Sequence, residues 1–140
     1  MSIKAIQDEI IEEFSMFEDW LDKYDYLIEL GNELPEIDPG QKSDENLISG
    51  CQSKVWLDAE YKEGKVWFQA DSDAIIVRGI VALLIKVLNG QPPKEIIDND
   101  LHFIDEIGLK QNLSPTRSNG LVAMVKKMKL YAIAYQAKEG

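Results

Sequence analysis

The sequence predicts an α+β fold in which a small mixed or antiparallel sheet packs against helices. Three observations predict it. Apolar residues recur at three- and four-residue steps over residues 3–30, alternating residues over 55–61 are followed by a glycine-containing turn and a second run over 66–70, and residues 74–88 are almost continuously apolar.

In the first stretch Ile3, Ile6, Ile10, Phe14, Phe17, Trp20, Leu21, Tyr24, Leu27, Ile28 and Leu30 form the stripe of a helix that buries one side. Ser2 is a cap for its start and Gly31-Asn32 a stop for its end, with a bend into two helices near Ser15-Met16. The proline- and glycine-containing residues 34–43 read as an irregular connector, and Leu47-Ile48 as a short strand. Val55, Leu57, Ala59 and Tyr61 then alternate with Trp56, Asp58 and Glu60, and Lys62-Glu63-Gly64-Lys65 turns the chain into Val66 through Ala70, a β-hairpin. Asp71, Ser72 and Asp73 are N-cap candidates for the apolar helix that follows, which is expected to be the central buried element and to end at Asn89-Gly90. Short helical pieces over 94–97 and 101–107 stop at Gly108. A last helix opens on Ser114 as cap and Pro115 at its first position and runs to about residue 136.

A chain of 140 residues fits one domain, residues 1–140, able to bury a core without disulfide or metal staples. Its single cysteine cannot form an internal disulfide, and Lys4, Asp8 and Glu9 stand where a leader would be apolar, so a reducing, cytoplasmic setting is expected. The longest apolar run is interrupted by Arg78, Gly79 and Lys86 and is too short for a bilayer, so no membrane partner is expected. With 15 Lys+Arg against 25 Asp+Glu the net charge of −10 opposes polyphosphate backbones, which excludes nucleic acid as the expected partner. The acidity concentrates between Asp8 and Asp44, the pattern of a solvated face or of a docking surface.

The stretch that carries chemistry is Ser49-Gly50-Cys51-Gln52-Ser53, followed by Lys54. A thiol reacts as its thiolate, which exposure, hydrogen-bond donors and nearby cations favour. Gly50 permits a turn that aims peptide N–H groups at Cys51, and Gln52, Ser53 and Lys54 add donors and a charge. The same residues are compatible with Cys51 as a small buried hydrophobe leading into a strand. His102, the sole histidine, stands with Asp100 and Asp105, but a metal site needs three or four ligands and a lone cysteine cannot hold an iron–sulfur cluster, so no metal or other cofactor is expected. In the first turns of the last helix Arg117 gains nothing from the helix dipole and Gly120 costs helix propensity. Arg117, Ser118 and Asn119 therefore read either as a partner or anion contact, or as surface residues beside a tight contact at Gly120.

Taken together, the blocks at residues 49–56, at Ala70-Asp71-Ser72-Asp73-Ala74 with Val77-Arg78-Gly79, at residues 113–121, and at Leu27-Ile28-Glu29-Leu30-Gly31 resemble the SufE family of sulfur-acceptor proteins, in order and spacing across nearly the whole chain. The resemblance implies a fold similar to that of the cluster scaffold IscU, without the scaffold's additional cysteines. It implies that Cys51 takes persulfide sulfur from a pyridoxal-phosphate-dependent cysteine desulfurase of the SufS type, stimulates it, and passes the sulfur to a Suf-type iron–sulfur scaffold complex, with Gly50, Gln52 and Ser53 supporting the loop. The alternative is a docking or regulatory module of a desulfurase in which Cys51 is structural.

Overall fold

The computed structural model describes residues 2–48 and 54–139, in an α+β arrangement of six helices and one two-stranded antiparallel sheet among those residues. The helices are α1 (Ile3–Ser15), α2 (Trp20–Glu33), α3 (Ile75–Leu88), α4 (Pro93–Asp98), α5 (Phe103–Glu106) and α6 (Pro115–Glu139). The strands are β1 (Val55–Lys62) and β2 (Lys65–Ser72).

The long N-terminal stripe divides as its bend suggests. Ser2 Oγ accepts from the Ala5 amide at 3.1 Å to start α1, and Asp19 accepts from the Asp22 amide at 3.0 Å to start α2. Gly31-Asn32, expected to stop the helix, does not: α2 runs on to Glu33 with Gly31 in its last turn. The reason is packing. A Cβ on Gly31 would stand 2.9 Å from the Gly79 nitrogen, and one on Gly79 would stand 2.7 Å from the Leu27 carbonyl carbon, so the two glycines let α2 and α3 cross backbone to backbone.

The hairpin turns on two residues rather than the four expected. Glu63 (φ 55°) and Gly64 (φ 79°) both take the left-handed conformation, a turn whose twist matches that of the strands. The register pairs Val55 with Ser72 and Lys62 with Lys65, which puts Val55, Leu57, Val66, Phe68, Ala70 and Ser72 on the buried face. Leu47 contributes a single bridge to Trp56 rather than a strand.

Helix α3 is the centre of the core, with Val77, Ile80, Val81, Leu83, Leu84, Val87 and Leu88 all buried. One hydrophobic cluster joins it to α1, the sheet, α4, α5 and the inner stripe of α6, made by Leu121, Met124, Met128 and Ala132. Gln7, buried in α1, fastens the α4–α5 connection by donating to the Asp100 carbonyl and accepting from the Phe103 amide, both at 3.1 Å. Among the described residues no helix is long and apolar enough to cross a membrane.

Candidate functional site

Gly50, Cys51, Gln52 and Ser53 lie outside the described residues; the two ends of the segment that carries them do not. On the entry side the Ile48 amide donates to the Val55 carbonyl at 2.9 Å. On the exit side Lys54 is held from three directions. Its amide donates to Asp73 Oδ1 at 3.1 Å, and its carbonyl accepts from Ser72 Oγ at 2.8 Å and from the Asp73 amide at 3.2 Å.

Asp71, Ser72 and Asp73 are therefore not the helix caps the sequence suggests. Ala74 is the N-cap residue of α3 and has no side-chain cap of its own, while the Ser72 and Asp73 side chains close the sheet against Lys54 and Asp71 turns to other partners. Ser72 faces the core, 5% exposed, so its hydroxyl must find partners within the protein. It donates to Lys54 and accepts from the Ala74 amide at 3.2 Å.

On the outer face of the sheet, Asp71 sits across from Trp56 and gathers two cations. Lys42 Nζ lies 2.9 Å from its Oδ2 and 5.3 Å from the centre of the Trp56 ring. Arg78 Nε lies 3.0 Å from its Oδ1, buried, as a charge contact whose N–H is not aligned for a hydrogen bond. Burial alone would raise the Asp71 carboxyl, but the Lys42 hydrogen bond, the Ser72 amide and the Arg78 charge outweigh it and hold the group below its ordinary value. Local structure places both cations. The connector is pinned by the Asp38 amide on Gln69 Oε1 and by a short 3₁₀ turn over Pro39–Gln41 that ends at Lys42, while the Gly31–Gly79 crossing fixes the turn of α3 that carries Arg78.

Behind these groups an apolar gap of about 10 Å³ is lined by Ile48, Val55, Ala70, Met124 and Met128 among others, with no polar atom in its described wall. It has room for about one water-sized atom, in surroundings that offer water nothing to bond.

The other expected residues lie on α6 and at the start of α5. Arg117 and Asn119 are exposed and Ser118 is half-buried in the first turn of α6, where the Ser114 hydroxyl accepts from the Arg117 amide at 3.3 Å, as the capping pattern predicts. Gly120 is buried. His102 is 4.0 Å from Asp8 Oδ1, a distant surface pair, and among the described residues no group of three or more His, Cys, Asp or Glu side chains is placed to hold a metal ion. The Lys42–Asp71–Arg78 cluster escaped the sequence reading. Its one visible signal is a run of three short polar residues ending a strand, which fits a helix cap equally well.

The chain is similar to known proteins over most of its length. In three dimensions it is similar to the solution structure of a hypothetical protein from Thermus thermophilus, with a TM-score of 0.78 over 94% of this chain and 96% of that one, at 22% sequence identity. That likeness defines an α+β fold class shared at low sequence identity. A curated relative, an uncharacterised SufE-like protein of Rhizobium etli, is 42% identical over 130 residues, covering 89% of this chain and 88% of its own. The SufE family model, described as an Fe-S metabolism associated domain, matches residues 8–132. The chain belongs to the SufE family.

Proposed function

We propose that this chain, as one SufE-like domain over residues 1–140, is a sulfur acceptor of iron–sulfur cluster assembly. Cys51 takes sulfane sulfur from the persulfide of a SufS-type cysteine desulfurase, stimulates that enzyme by clearing its product, and delivers the sulfur to a Suf-type scaffold complex. The observation that carries this reading is the bracing of Ile48 and Lys54: five residues join these two fixed points, and the chain's only cysteine is the middle one.

The chemistry is an exchange without net oxidation. The Cys51 thiolate attacks the outer sulfur of the donor persulfide, a new S–S bond forms on Cys51, the donor S–S bond breaks, and the donor leaves as its thiolate. With one cysteine in the chain, no neighbouring thiol can discharge the product as sulfide by closing a disulfide. The cations around Asp71 favour an anionic sulfur nearby, and the apolar gap behind Ile48 offers a water-poor recess for it. Gly50, Gln52 and Ser53 supply donors to that sulfur, and Arg117, Ser118 and Asn119 contact the partner or an anion.

The test is intact mass after incubation with a cysteine desulfurase and cysteine, beside a Cys51→Ser control. The wild type gains the mass of one sulfur atom and the control gains none. No gain on the wild type, with a complex still forming, would replace this reading with a docking module whose cysteine is structural.

A further inference from the structure

Helix α6 has a second face that the core does not use. Leu121, Met124, Met128 and Ala132 point inward, while Val122, Leu130 and Ile133 are respectively 51%, 49% and 49% exposed. Together with Leu101 and Ile104 on the opposite wall they line an open groove of about 430 Å³. Residues 122, 126, 129 and 133 fall at i, i+4, i+7 and i+11, one stripe about 16 Å long. It reads Val, Lys, Lys, Ile: apolar at both ends and cationic in the middle.

The charge along this stripe selects the occupant. In a chain of net charge −10, α6 carries Arg117, Lys126, Lys127, Lys129 and Lys138 against the single acid Glu139. Two copies paired through this stripe about a two-fold axis would set Lys126 against Lys129, or each lysine against its own mate, so like charges oppose a symmetric dimer here. A contact between the groove and a different face of a second copy would be heterologous and would build a ring or an open filament rather than a two-fold dimer. The opposite wall carries Asp100 and Asp105, and Lys129 Nζ is tied to the Asn99 carbonyl at 3.1 Å, which leaves Lys126 as the groove's exposed cation.

We infer that this groove docks an amphipathic helix of another protein, with apolar anchors at i and i+11 and carboxylates on the flank that faces Lys126. The flank that faces Asp100 and Asp105 is uncharged or basic, which fixes the roll of the bound helix. The mode is that of a helix laid in a hydrophobic groove, with Lys126 setting orientation and the apolar ends setting affinity. The groove shares no lining residue with the apolar gap behind Ile48. The proposal stands independently of whether Cys51 carries sulfur.

The probe is a synthetic helical peptide with leucines at i, i+4, i+7 and i+11 and glutamates along one flank, titrated into the ¹⁵N-labelled full chain. A second peptide carries lysines in place of the glutamates. Saturable shifts are expected at Val122, Val125, Leu130 and Ile133 with the acidic peptide and not with the basic one. Lys126→Glu should weaken binding about fivefold, the effect of turning one exposed ion pair into a repulsion. Ile133→Asp should abolish saturation, and both variants change exposed positions so that the melting curve stays in place. Equal binding of the two peptides, shifts at other residues, or self-association at these residues without peptide would each overturn the inference.

Discussion

Replacing Gly79 by alanine sets two physical effects of opposite sign against each other. Alanine is the better helix former, by about 1 kcal/mol, and in an open helix interior the substitution would stabilise. Gly79 is not open: an ideal Cβ there stands 2.7 Å from the carbonyl carbon of Leu27 and 3.0 Å from its Cα. Carbon atoms pack at about 3.5–4.0 Å, so α2 would have to retreat by about 1 Å. The obstruction is backbone, which cannot rotate away as a side chain would, and this places the overpacking cost near the upper end of its usual span, ~3 kcal/mol. After the helix-propensity gain is subtracted, the variant should be destabilised by about 2 kcal/mol. Urea unfolding reads this directly. With an m-value of roughly 1.5 kcal/mol/M, the midpoint falls by about 1.3 M while m itself stays constant. An unchanged midpoint, or one that rises by the roughly 0.7 M that propensity alone would give, would refute the close crossing of α2 and α3.

Two further predictions concern titrating groups. Asp71, held below its ordinary value of 3.8, contributes stability that is present above that pH and is lost as pH falls through its folded value. Asp71→Asn should remove that part of the acid limb of a midpoint-versus-pH curve and cost about 1 kcal/mol at neutral pH, a modest figure because water screens Lys42. Wild-type and variant curves running parallel below pH 4 would count against the cluster. Tyr26 is pushed up to about 12 by burial, by its 2.5 Å hydrogen bond to Glu13 Oε2 and by the surrounding carboxylates. Its contribution is complete below the unfolded value near 10 and disappears as pH rises from there to about 12. Ultraviolet titration of Tyr26→Phe should lack the last phenolate step, and an unaltered titration would exclude the assignment.

The helical stripes, the hairpin and the buried α3 were legible because each rests on a period that burial on one face imposes. Gly31 shows where that logic ends. A glycine after an apolar stripe has the same local signature whether it stops a helix or admits a neighbouring one, and only Gly79, 48 residues further on, decides between them. The same holds for Ser72 and Asp73. Short polar side chains before a helix serve as caps unless a nearer backbone needs them, and Lys54 reaches them only after the hairpin has folded. The outer stripe of α6 went unread for a different reason. Its apolar residues lie on more than one face, so no single moment stands out, and an exposed valine or isoleucine in a sequence cannot be told from a buried one.

A two-stranded ribbon ordinarily leaves two open rims of unpaired amide and carbonyl groups, ready to recruit a strand from another chain. Here neighbouring chain occupies part of each rim. The Val66 amide donates to the Gln91 carbonyl and the Val66 carbonyl accepts from the Gly90 amide, while Phe68 donates to Asn89 Oδ1. Across the sheet, Ile48 occupies the Val55 carbonyl and the Tyr135 hydroxyl occupies that of Ala59. A segment from elsewhere would have to displace these ties before it could add to the sheet. The one sheet among the described residues is thereby partly occupied along both rims, so that strand addition there competes with these ties.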